Sequence, residues 1–109
     1  MQNTVPAKEW YIINNVEEVD SPALLVYAER GKANIRLIKT MLSDISMLRP
    51  HVKTNKMAEI CRMMMNEGIT KFKCATIAEA EMLGMTGAPD VLLAYQLAGP
   101  KILRLINLI

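Results

Sequence analysis

The stretch Ile69–Tyr95, ITKFKCATIAEAEMLGMTGAPDVLLAY, carries the reading on which the fold turns. ITKFKCAT reads as a strand, and DVLLAY is a continuous apolar run of strand length. Between them, Thr76 with Glu79 three residues on forms a capping-box signature, and IAEAEMLGMTG reads as a helix stopped by Gly87. A strand, a helix and a second strand in so short a span define a βαβ unit, whose strands lie parallel.

The same alternation extends in both directions. Upstream, Thr54 or Asn55 is placed to cap a helix carrying Met57, Ile60, Met64 and Met65 on one face, ended by Gly68. MLRPHVK (47–53) reads as a short strand. From Lys32 to Leu42, apolar residues recur at three- and four-residue intervals, the mark of an amphipathic helix. PALLVYAE, bounded by Pro22 and Gly31, reads as a further strand. Residues 1–20 show no sustained period and form an N-terminal segment. Downstream, Gly99-Pro100 open a last helix, KILRLINLI, that runs off the end of the chain.

Strands and helices alternating about every 20 residues argue for an α/β fold with a parallel sheet. A (β/α)₈ barrel takes about 250 residues, and this 109-residue chain offers roughly three of its units. The expectation is an N-terminal portion of such a barrel over residues 21–109, truncated rather than closed.

Composition excludes several classes of function. Hydrophobic residues make up 51% and charged residues 22%, a globular balance. A net charge of +2 is too small for a nucleic-acid footprint, and five aromatic residues leave no ladder for stacking bases. No run approaches the roughly 18 consecutive apolar residues of a membrane span. Cys61 and Cys74 have no metal or disulfide spacing and read as two reduced core thiols of a cytoplasmic protein.

RPHVKTNK (49–56) is out of keeping with the rest, since a half-buried strand has no need of so many charges. On a strand Arg49, His51 and Lys53 share one face. Lys53 then stands at the strand's C-terminal end, where catalytic groups collect in parallel α/β folds. A desolvated lysine there attacks a carbonyl as the free amine, which is Schiff-base chemistry. Taken alone, a lysine at a strand end is more often solvated or ion-paired, and a lone histidine more often structural.

SPALLVY, NIRLIKTM, RPHVKTNK, ATIAEAEML and DVLLAY, in this order and spacing, resemble the N-terminal part of the D-threonine aldolase and D-serine dehydratase family. These are alanine racemase-like, fold-type III enzymes dependent on pyridoxal 5′-phosphate. The resemblance covers residues 20–105, and RPHVKTNK is its most specific piece. It implies a (β/α)₈ barrel with a C-terminal β domain and a cofactor Schiff base on Lys53 rather than Lys56. Many relatives have histidine where Asn55 stands. His51 either lies against the cofactor or packs one layer deeper, and Tyr95 either approaches the cofactor from the rim or simply packs there. Arg49 is placed for a structural ion pair near the barrel floor. Thr76 and Glu79 match the family's AT..EAE stretch, which a helix cap explains without chemistry.

The implied activity of the parent is that of a lyase on D-3-hydroxy amino acids, D-threonine aldolase first and D-serine dehydratase second. A divalent metal would be held by residues of the C-terminal domain, outside this chain, and the parent would be a homodimer. An alanine racemase follows its lysine with a KANAYG-type sequence, unlike this one. A further expectation is that the 109-residue chain alone is an inactive folding or association unit.

Overall fold

The computed structural model describes residues 9–109, in which four helices and a small parallel sheet alternate. The helices are α1 (Ala28–Thr40), α2 (Ala58–Asn66), α3 (Ile77–Met85) and α4 (Pro100–Leu108). The strands β1 (Lys71–Cys74) and β2 (Asp90–Leu93) pair in parallel, with Lys71 opposite Asp90 and Cys74 opposite Leu93. On the other side of β1, His51 forms a single parallel bridge to Lys73, and the Lys73 N–H donates to the Pro50 carbonyl at 2.9 Å. Three successive segments thus lie side by side in chain order, the arrangement that successive βα units produce.

Alternation within β1 decides which face is covered. Phe72 and Cys74 are buried, while Lys71 and Lys73 turn to the opposite face. Phe72 and Cys74 join Ile35, Val52, Cys61, Met64, Ile69, Ala80 and Leu83 in one core under the helices, with Val91 and Leu93 of β2 packed against it. Among the described residues the sheet is therefore covered on one face only. Both cysteines are free and buried, as read from the sequence, and burial raises each thiol's pKa above its usual range.

The helix ends follow local chemistry. Thr76 Oγ1 accepts the Glu79 N–H at 3.1 Å, and Glu79 Oε2 reaches back to accept the Ala75 N–H at 2.7 Å, a capping box in which the return bond falls one residue before the cap. Gly68 and Gly87, at φ 90° and 81°, terminate α2 and α3 in the left-handed conformation that glycine adopts without strain. The first turn of α2 is not capped by Thr54 or Asn55. Asn55 Oδ1 accepts the Met57 N–H at 3.1 Å, and Met57 stands at the cap position with no side-chain bond.

Two sequence-based strands are corrected. PALLVYAE forms no strand: residues 23–27 have no ladder partner, Leu24 is 84% exposed, and Ala28 and Glu29 already belong to α1. A strand persists only where a neighbour takes its backbone hydrogen bonds, and among the described residues none is offered. MLRPHVK shrinks to the one bridge at His51, after which Val52–Thr54 coils into a 3₁₀ turn. Val52, at the start of that turn, is fully buried in the core. The first helix begins at Ala28 and ends at Thr40, against an expected Lys32–Leu42.

The radius of gyration is 18.5 Å, against about 13 Å for a compact chain of 100 residues. An open unit of this kind depends on its one core. Phe72→Ala should cost about 3–5 kcal/mol in urea unfolding and Thr76→Ala about 1 kcal/mol through the lost cap, whereas Leu24→Ala should leave the midpoint unchanged.

Candidate functional site

The uncovered face of the sheet carries the charges. Arg49 and His51 from the bridging segment, Lys71 and Lys73 from β1, and Asp90 and Leu92 from β2 all lie on it, because alternation and register put them there. At the end nearer the strand N-termini, Arg49 Nη1 and Nη2 donate to Asp90 Oδ1 and Oδ2 at 2.6 and 2.7 Å. Nη1 also donates to the Phe72 carbonyl at 3.2 Å, so one guanidinium spans three segments. The hydrogen bonds from Arg49 hold the Asp90 carboxyl below the usual carboxylate range and raise the guanidinium pKa in return. The structural ion pair expected of Arg49 is present, and its partner, Asp90, has no signature in the sequence.

One layer toward the C-terminal ends, His51 lies beside Lys73. The imidazole pKa is lowered, chiefly by burial, then by repulsion from Lys53 and Lys73, with Glu79 acting in the opposite sense. Nε2 of His51 is buried and has no hydrogen-bond partner among the described residues. A buried polar atom with no partner is uncommon, because losing its water costs free energy that nothing returns.

Lys53 follows in the 3₁₀ turn, exposed, its amine held by no hydrogen bond or ion pair among the described residues. Lys56, the other lysine of the motif, differs in both respects. Its backbone takes φ 51° and its Nζ lies 3.8 Å from Glu79 Oε1. Glu79 is buried, so one carboxylate joins the end of β1, through Ala75, to the turn that carries Lys53. The sequence assigns Glu79 only its cap. The link to Lys56 runs between units distant in the chain and leaves no local signature.

Tyr95 stands just past β2 and lines a cavity of about 300 Å³ with Thr76, Gln96, Lys101 and Arg104. Neither His51 nor Lys53 lines that cavity. The structure thus brings His51 and Lys53 together and puts Tyr95 on a neighbouring hollow at the same end of the sheet.

An exposed, unheld amine beside a buried imidazole nitrogen in need of a partner fits an aldehyde cofactor with polar ring substituents. Lys53 would hold such a group covalently and His51 Nε2 would hydrogen-bond it. Placement at the C-terminal end of parallel strands is the ordinary location of an enzyme site in α/β proteins.

Comparison with known proteins finds two relatives of this chain. The chain is 30% identical over 91 residues to D-threo-3-hydroxyaspartate dehydratase of Delftia sp. (strain HT23), a match covering 83% of this chain and 24% of that protein. It is 29% identical over 91 residues to D-threonine aldolase of Arthrobacter sp., covering 82% and 24%. No family model matches, and no solved structure matches. The likeness fits an N-terminal portion of the D-threonine aldolase and D-serine dehydratase family, and the chain spans about a quarter of the length of these two relatives.

Acid should destabilise the fold in two windows. His51 has a lowered pKa when folded, so the unfolded chain binds the proton first, and stability falls as pH drops below about 6.5. Asp90 is also depressed. Its contribution is complete above the unfolded value of about 3.9 and is lost as pH falls toward its folded value. Urea midpoints against pH should lose the upper slope in His51→Gln and the lower slope in Asp90→Asn.

Proposed function

We propose that the parent protein is a pyridoxal 5′-phosphate-dependent lyase acting on D-3-hydroxy amino acids, with Lys53 as the residue that carries the cofactor. The observation behind this reading is the unheld Lys53 amine beside the orphaned His51 Nε2, at the C-terminal end of parallel segments. When bound, the cofactor supplies an electron sink for charge developing at the substrate's α-carbon.

The chain's own residues supply attachment, a directed hydrogen bond and orientation. Lys53 binds through Nζ, and its exposed position leaves the amine open to approach from the uncovered face. His51 remains neutral near pH 7 because burial and two lysines oppose its protonation, so Nε2 can donate one directed hydrogen bond without adding charge. Glu79 orients the Lys53 turn through Lys56 and the end of β1.

Aldol cleavage, giving glycine and an aldehyde, is the first reading of the overall reaction. Dehydration, giving a keto acid and ammonia, is the second, and likeness to a dehydratase at 30% identity favours keeping it. The same proposal makes residues 21–109 the first units of a (β/α)₈ barrel in a cytoplasmic homodimer. A divalent metal would be bound by a later part of the protein, and the 109-residue chain alone would have no turnover.

The test is an absorbance scan of the full-length protein with pyridoxal phosphate, followed by borohydride reduction and peptide mapping. The expected adduct is on Lys53. Lys53→Ala should lose both the adduct and turnover of D-threonine and D-serine, while Lys56→Ala should keep the adduct. Trapping on another lysine, with Lys53→Ala fully active, would overturn the assignment.

A further inference from the structure

The cavity beside Tyr95 is lined by neither Lys53 nor His51, and its charge is all positive. Its volume of about 300 Å³ stands at the lower end of the roughly 300–1,000 Å³ of small-molecule sites. It is formed by the start of α3, the loop after β2 and the first turns of α4. From α4 come Lys101 and Arg104, three residues apart and so on one face. They are the two charges of that helix, and like charges so spaced repel each other. Neither forms an ion pair among the described residues. Glu81 lines an adjoining hollow that Arg104 also lines, yet the two are not paired, and no carboxylate lines the first cavity among the described residues. Tyr95 and Gln96 add a phenol and a carboxamide, both neutral hydrogen-bonding groups, and Ala75, Ile77 and Leu97 add an apolar wall.

We infer that Lys101 and Arg104, with Tyr95 and Gln96, form a binding site for a small organic phosphate, separate from the site at Lys53. Two positive groups match a phosphate monoester, which carries about two negative charges near pH 7. A carboxylate, with a single charge, answers only one of them. Arg104 has a planar fork to offer two phosphate oxygens, and Lys101 brings a point charge to the third. A dianion seated there turns the repulsion within α4 into attraction. The apolar wall would cover the organic part of the ester, which favours the monoester over the free ion. Because Ala75 follows β1 and Tyr95 follows β2, an occupant touches the segments after both strands and no residue of the Lys53 turn.

The probe is phenyl phosphate, titrated calorimetrically into the full-length protein. One titration precedes treatment with pyridoxal phosphate and borohydride, and a second follows it, after the excess has been removed. One phenyl phosphate should bind per chain in both, about tenfold more tightly than benzoate or inorganic phosphate. Lys101→Met and Arg104→Met should each weaken binding by about tenfold or more, Arg104→Lys by less, and Lys32→Met on α1 not at all. Lys101 and Arg104 are exposed, so their variants should keep the wild-type urea midpoint. Should either unfold, Tyr95→Phe removes only the phenol oxygen and still reads the site through weaker binding. Absence of saturable binding, or unchanged affinity in both methionine variants, would overturn the site. Binding lost once the cofactor is fixed would overturn its separateness and make the cavity part of the cofactor site. Equal affinity for inorganic phosphate would overturn the organic ester as its ligand.

Discussion

One guanidinium sets the register of the sheet. Arg49 leaves the bridging segment, touches the backbone of β1 at Phe72 and ends in a two-point contact with Asp90 on β2. A two-oxygen, two-nitrogen contact fixes direction as well as distance. A slip of β2 by one residue would turn Asp90 to the core side and Val91 to the open face. The pair is partly exposed and its strength is moderated by water, so its importance lies in specifying alignment more than in adding stability. With β1 and β2 aligned, Phe72, Val91 and Leu93 meet the helices, and the basic residues collect on the other face.

That division explains the surface. Helices cover one side of a parallel sheet, and such sheets are stable when both faces are occupied. Here Leu92 is 47% exposed within a strand, and Ile102, Leu103 and Ile106 of α4 are likewise exposed. A second tie, Glu67 at the end of α2 to Arg36 and Lys39 of α1 at 2.8 and 3.0 Å, holds the helix layer together from outside, and it lowers the Glu67 pKa, the Lys39 contact contributing most.

The βαβ unit is legible in the sequence because each of its signals is local. Short strands, a capping box and a glycine in the left-handed region each act over a few residues, and each is present where the residue pattern puts it. PALLVYAE misleads for the opposite reason. Its apolar composition is real, but strand formation depends on a neighbour that composition does not reveal. At RPHVKTNK the alternating face of Arg49 and His51 is legible, while the 3₁₀ turn that follows carries no signal in the residue pattern. Asp90 as the partner of Arg49, the second contact of Glu79 and the position of Lys73 beside His51 all arise from pairing between units, and no spacing rule within one segment encodes them.

The turn at Val52–Thr54 also bears on how a lysine can serve chemistry. On a continuing strand, Lys53 would have stayed on the face of Arg49 and His51. In the 3₁₀ turn after His51, Val52 is buried in the core and Lys53 is exposed. Lys56 in its left-handed conformation and Glu79 beneath it then close the turn from the far side. The turn that carries Lys53 is therefore held by packing on one side and by an ion pair on the other, with the Lys53 nitrogen engaged by neither. An ammonium with no partner among the described residues is what separates Lys53 from the other lysine of the motif, whose ammonium lies against Glu79.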